Sequence, residues 1–133
     1  VTKVYTCQVE VRWADLDLLG HVNNTKYFEY AMEARVHFYR EAISPERRPG
    51  AVVLRKADME YLRPVTTETP SLRIEVFVTH IGTTSYTLRH TMYDGSGEVC
   101  ARGDAVMVGF DRKTQKPRPI RDEERMALAE YLH

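Results

Sequence analysis

The chain has 133 residues, 43% of them apolar, which is enough for one core and leaves no length for a second domain of ordinary size. Its 19 basic and 19 acidic side chains cancel, so no overall field draws it to nucleic acid or to an anionic membrane. There is no long apolar run and no charged-then-apolar leader, and the two cysteines, Cys7 and Cys100, lack metal-type spacing, so the expectation is one cytoplasmic domain over residues 1–133 with free, core-packed thiols.

Tyr5, Cys7, Val9, Val11 and Trp13 are apolar at alternate positions, the period of a half-buried strand. A turn over Asp15 to Gly20 follows. Asn23 or Asn24 then supplies a helix cap, and Tyr27, Ala31, Ala34, Phe38 and Ala42, three or four apart, predict one long helix to Ile43. Ser44-Pro45 and Pro49-Gly50 end that helix, and Val52 to Val65 reads as a single irregular strand closed by Arg63-Pro64.

Leu72-Ile74-Val76-Val78 and Tyr86-Leu88-His90-Met92 form a hairpin joined through Ile81-Gly82-Thr83-Thr84. Asp94-Gly95-Ser96-Gly97 turns the chain into a last long strand, Val99 to Phe110. Asp111 to Pro119 is a basic connection, and Asp122 to Leu132 a short terminal helix.

A strand, a long helix and then further strands resolve physically as an α+β arrangement, an antiparallel sheet of about five strands wrapped around one central helix. That is a hotdog fold. One helix leaves sheet edges open, so association as a homodimer or homotetramer is expected.

The segment from Arg12 to Asn24 places Asp15, Asp17 and His21 in a tight loop just before the positive end of the helix. A carboxylate there can attack a thioester carbonyl or activate water, and unpaired backbone N–H groups at Asn23, Asn24 and Thr25 would face the oxygen that gains charge. Asp17 is read as the functional aspartate and Asp15 as a turn cap, while His21 either orients Asp17 and the thioester or holds the turn.

The run Asp15-x-Asp17-x-x-Gly20 imitates a calcium loop, but Leu19 and Lys26 stand at its fifth and twelfth positions, where ligands are required. Zinc would need a second histidine or a cysteine beside His21. No metal and no other cofactor is therefore expected. The chain also has no Gly-rich phosphate loop, no nucleophile-elbow serine and no cysteine–histidine pairing.

The string Asp15-Leu16-Asp17-x-x-Gly20-His21-Val22-Asn23-Asn24-x-x-Tyr27, with Glu33 and Arg35 after it, resembles the 4-hydroxybenzoyl-CoA thioesterase family. It is also similar to the same segment of plant acyl-ACP thioesterases. Tyr61-x-x-Pro64, the hairpin around Gly82 and Ser85, Asp94-Gly95 and the last strand extend the likeness over most of the chain.

The resemblance implies an acyl-CoA substrate, or an acyl carrier protein thioester, with Asp17 as catalytic carboxylate and helix-start amides polarising the carbonyl. It also gives Glu33 a supporting role, and Tyr27 stands beside it as a candidate substrate contact. The plant enzymes pair their histidine with an asparagine where this chain has Leu19, which separates the two networks. Arg112, Lys113 and Arg118 are candidate contacts for the phosphates of coenzyme A, against an ordinary solvated loop as the plainer reading.

Two other functions share this sequence pattern. A non-catalytic acyl-CoA-binding module would use the loop for recognition alone. A 3-hydroxyacyl thioester dehydratase would place its histidine before proline-rich sequence, whereas His21 leads into Val22-Asn23-Asn24.

Overall fold

The computed structural model describes residues 2–44 and 51–133. Strand β1 (Tyr5–Glu10) passes through a 3-10 turn (Trp13–Asp15) to helix α1 (Lys26–Phe38), which opens into a π-helical turn over Tyr39–Ile43. There follow β2 (Val52–Ala57), β3 (Glu60–Tyr61), β4 (Ser71–Ile81), β5 (Ser85–Tyr93), β6 (Val99–Asp111), β7 (Lys116–Pro117) and α2 (Asp122–Ala129). The sheet runs β1-β4-β5-β6-β2, with β3 and β7 also paired to β6, and it curls around α1 as the expected hotdog fold.

The strand periodicity sets which side chains meet the helix. Leu72, Ile74, Val76 and Val78 on β4 are fully buried, and Met92, His90 and Leu88 stand opposite the last three of them on β5. Against this face α1 sets Tyr27, Tyr30, Ala31, Ala34 and Phe38, the two alanines allowing close approach. Each large aliphatic side chain so buried contributes about 1.5–3 kcal/mol.

The helix starts later than the asparagines suggested. Asn23 Oδ1 accepts from both the Thr25 amide and the Thr25 hydroxyl, each at 3.0 Å, and Lys26 N donates to Asn23 O at 2.9 Å. Asn23 thus holds the turn before α1, whose first residue is Lys26. At the other end Ser44 N donates to Tyr39 O at 2.8 Å. Pro45 and Pro49-Gly50, expected to end the helix, lie outside the described residues.

The single strand expected over Val52 to Val65 is two, β2 and β3, both on β6. Asp58 stands at the break, where its amide donates to Asp104 O and its carboxylate accepts from Asp104 N, each at 3.0 Å. Gly103 permits this crossing, because a Cβ there would lie 2.2 Å from the Asp58 carbonyl oxygen. The connection expected after the last strand carries β7, which pairs Pro117 with Phe110 and Lys116 with Asp111. The terminal helix stops at Ala129, with Leu128 fully buried and Leu132 forming a parallel bridge to Val78.

Cys7 and Cys100 are free, and burial, the largest cause for each, raises both thiols to about 11. Among the described residues no helix is long and apolar enough to cross a membrane.

Candidate active site

The loop from Asp15 to Asn23 is tied shut by its own backbone. Leu16 and Val22 form an antiparallel bridge, Asp17 N donates to His21 O at 2.7 Å, and Gly20 N donates to Asp17 O at 3.0 Å. Gly20 sits at φ +75°, in the left-handed region that glycine adopts without a Cβ penalty. Val22 N to Val65 O at 2.8 Å then fastens the loop to the chain beyond β3.

Asp15 and Asp17, two residues apart, have opposite surroundings. Asp15 is 3% exposed, and its Oδ2 accepts from the Tyr30 hydroxyl at 2.6 Å and from Arg12 N at 3.0 Å. Burial would raise its pKa, but those bonds and the charges of Arg12 and Lys26 outweigh it and hold the carboxyl below its ordinary value. The turn-capping reading of Asp15 fits this placement.

Asp17 is exposed and only half engaged. Its Oδ1 accepts from Leu19 N at 2.9 Å and His21 N at 3.2 Å, while Oδ2 accepts no hydrogen bond from any described residue. One oxygen fixes the carboxylate's direction and the other remains available.

Asp17 opens on a cavity of about 340 Å³ that it shares with His21, Val22, Asn24 and Tyr27. The far wall is Tyr61 to Pro64, brought over by β3. Tyr61 donates through its hydroxyl to Asn24 O at 2.9 Å, and its ring meets Tyr27 edge-on at 5.0 Å. Burial pushes the Tyr27 hydroxyl up to about 12, so it is a neutral donor at ordinary pH. The His21 imidazole lines the cavity with no hydrogen-bond partner among the described residues.

The three amides expected to be free differ. Asn23 N donates to Asp15 O at 2.8 Å and Thr25 N to Asn23 Oδ1, so both are committed to the loop itself. Asn24 N has no acceptor among the described residues, and Asn24 lines the cavity. Of these three amides Asn24 N–H alone is left without an acceptor among the described residues, because the Asn23 turn consumes its neighbours.

The other candidates lie elsewhere in the same chain. Glu33 faces His37 at 4.0 Å, and neither Arg112, Lys113 nor Arg118 lines the Asp17 cavity. Arg118 is occupied by Glu124 Oε1 at 3.3 Å and by the carbonyls of Ala51 and Pro119. The amide of Lys113 caps the turn at Asp111, at 2.8 Å.

Arg63 is the cavity cation that sequence reading did not single out. It is half-exposed, with distant contacts to Asp94 at 3.7 Å and Glu98 at 3.9 Å. Its only signal was the Arg63-Pro64 strand end, which says nothing about a site. Among the described residues no group of three or more His, Cys, Asp or Glu side chains is arranged to hold a metal ion.

Comparison with known proteins gives the chain its relatives. A sequence model described as the thioesterase-like superfamily matches residues 11–128. The Bacillus subtilis protein YsmA is 31% identical over 122 residues, which cover 91% of this chain and 82% of YsmA. A predicted thioesterase from Bacillus stearothermophilus superposes with a TM-score of 0.88 at 25% identity over 98% of both chains. A thioesterase from Thermus thermophilus, solved with coenzyme A and zinc, superposes with a TM-score of 0.83 at 30% identity, over 95% of this chain and 92% of that one. With the match running from the end of the first strand to the last helix and the Asp17 loop inside it, the chain belongs to the thioesterase-like superfamily.

Proposed function

We propose that the protein hydrolyses an acyl-CoA thioester in the cavity at the start of α1, with Asp17 as the reacting carboxylate. The observation that carries this reading is the half-engaged state of Asp17, with Oδ1 held by two backbone amides and Oδ2 unpaired in a cavity that also holds Asn24 and His21. A carboxylate held in one direction loses little freedom on reaching the transition state.

In this reading the thioester carbonyl lies against Asn24 N–H, which stabilises the oxygen as it gains charge. Asp17 either attacks the carbonyl carbon, giving a mixed anhydride and the CoA thiolate that water then resolves, or removes a proton from the water that attacks. Both routes consume one water and release the free acid and the thiol. His21 and Tyr27 orient the thioester, and Arg63 at the cavity wall is the cation suited to a phosphate of coenzyme A. The coenzyme A bound in the Thermus thermophilus relative supports this choice of carrier.

Self-association belongs to the same proposal. The outer edge of β2 pairs with no strand among the described residues, and its Val53 and Leu54 are half-exposed, an edge suited to a second copy. Trp13, Leu18 and Leu19 stand out from the Asp17 loop as an apolar rim for the same partner.

The test is thiol release from a panel of aromatic, short-chain and long-chain acyl-CoAs. Asp17→Asn keeps an oxygen for the amides of Leu19 and His21 while removing the charge, so its fold is preserved. A fall of about a hundredfold or more in both Asp17→Asn and Asp17→Ala is expected. Wild-type protein that binds acyl-CoA and turns over none of the panel would overturn the hydrolase in favour of a binding module. Water elimination from a 3-hydroxyacyl-CoA would favour the dehydratase.

A further inference from the structure

Asn24 N–H, which the proposed hydrolysis turns toward the thioester oxygen, sits between two peptides held from different directions. The nearer tie is local. Asn23 O, the carbonyl of the peptide that carries this N–H, accepts from Lys26 N at 2.9 Å. The other tie comes from far along the chain: Asn24 O accepts from the Tyr61 hydroxyl at 2.9 Å, a bond across 37 residues. With the carbonyls on both sides of Asn24 occupied, a rotation of either peptide breaks one of these bonds, and the direction of the N–H is fixed.

Tyr61 is itself held in place. Glu60 and Tyr61 pair with Arg102 and Ala101 of β6, and Leu62 N and Arg63 N both donate to Cys100 O, at 2.9 and 3.1 Å. Cys100 and Ala101 are fully buried, so β3 is anchored on the core of the sheet. The Tyr61 ring stands edge-on to that of Tyr27, 5.0 Å between centres, and Tyr27 is buried on α1. The loop's other tie to this segment, Val22 N to Val65 O at 2.8 Å, lies on the far side of Asn23 and leaves the Asn24 carbonyl to Tyr61.

We propose that Tyr61 is a positioning residue, whose hydroxyl holds the Asn24 carbonyl and so aims the Asn24 N–H at the oxygen that gains charge. This role rests on the hydrolase reading of the site. The phenolic proton is committed to a backbone carbonyl, so Tyr61 acts through Asn24 and not on the reacting atoms. A donor aimed beforehand needs no reorganisation as charge develops, whereas one free to swing must be ordered at that moment. The difference is felt in the transition state and hardly at all in the bound thioester, whose oxygen carries little charge.

The experiment uses Tyr61→Phe, which keeps the ring against Tyr27 and removes only the hydroxyl. Single-turnover thiol release is measured on the acyl-CoA that wild type hydrolyses fastest. Beside it, Kd is measured for two analogues of that substrate: a thioether, which has no carbonyl, and a trifluoromethyl ketone, which takes up water to become tetrahedral. Tyr61→Phe should slow release about tenfold, weaken the ketone by about the same factor and change the thioether by less than about twofold.

An unchanged rate in Tyr61→Phe would overturn the proposal and leave the hydrolase standing. Equal losses for thioether and ketone would overturn it too and make Tyr61 a direct contact to the substrate. A variant that melts well below wild type would show that the bond serves the fold, which also overturns the positioning role. A panel from which wild type hydrolyses nothing removes the hydrolase and this role with it.

Discussion

The two ends of α1 hold cavities of different character. At its start, a cavity of about 340 Å³ mixes charged, polar and apolar side chains and is built mostly from residues close together in sequence, Asp17 to Tyr27, with a single distant wall at Tyr61 to Pro64. At its other end, a cavity of about 630 Å³ is apolar, studded with arginines, and assembled from four elements far apart in the chain. The first depends on turn geometry and backbone hydrogen bonds; the second depends on strand register and on which buried charges find partners. A loop can be tightened locally around a reactive group, whereas a groove inherits its chemistry from the whole sheet.

Four changes bear on that contrast, and the largest effect is at the helix start. Asp17→Asn should reduce thiol release by about a hundredfold or more while moving stability by no more than about 0.5 kcal/mol, as expected of an exposed side chain whose backbone contacts survive. Urea melts beside the turnover assay check both. A large stability loss would mean that Asp17 serves the loop and not the chemistry.

At the groove end the expected effect is on pH dependence. His90 is 1% exposed, and burial, with the charge of Arg35, holds its ring down to about 4 from 6.5, against the opposing pull of the Gly103 carbonyl and Asp104. The folded protein then binds fewer protons than the unfolded chain between those two values. This contribution is full above 6.5 and is lost as pH falls toward 4, by about 3 kcal/mol. Unfolding midpoints measured across this window should fall in wild type and flatten in His90→Asn, and an unchanged slope would show that His90 is not the titrating group.

Gly103→Ala should cost about 1–3 kcal/mol, because its Cβ must displace the Asp58 carbonyl that it would meet at 2.2 Å. Thermal melts with the β2–β3 break intact or shifted, followed by hydrogen exchange at Asp58, would show whether that crossing is rigid. Tyr30→Phe is the smallest change, removing the 2.6 Å bond to Asp15 for about 1–2 kcal/mol. It should also lower kcat/KM several-fold, since Asp15 O receives the Asn23 amide that precedes the cavity. A melt that shifts without any kinetic change would separate the Asp15 anchor from the site.

The outline of the fold was readable because alternation and helical spacing are local signals. The buried run Leu72, Ile74, Val76, Val78 and the helix positions Tyr27, Ala31, Ala34 and Phe38 came from spacing alone. The β2–β3 break did not, since nothing in Val52 to Val65 announces that Gly103, some forty residues onward, admits the Asp58 carbonyl. Arg63 was hidden for the same reason. Its importance lies in where β3 delivers it, and the residue itself reads as the end of a strand.

By itself, then, the sequence determined the order of the main elements, the antiparallel sheet around one long helix, and a tight polar loop that brings Asp17, His21 and Gly20 within one turn. These depend on side-chain period and turn chemistry, which act over a few residues. Only the tertiary structure decided which groups in and around that loop are spoken for: Asn23 N and Thr25 N are consumed, Asn24 N is left over, and Asp15 is buried under Tyr30. It also decided that Arg118 is locked to Glu124 while Arg35 faces an apolar groove with no acid among the described residues. The partner of a polar group is set by what long-range packing carries to it, and no spacing along the chain records that.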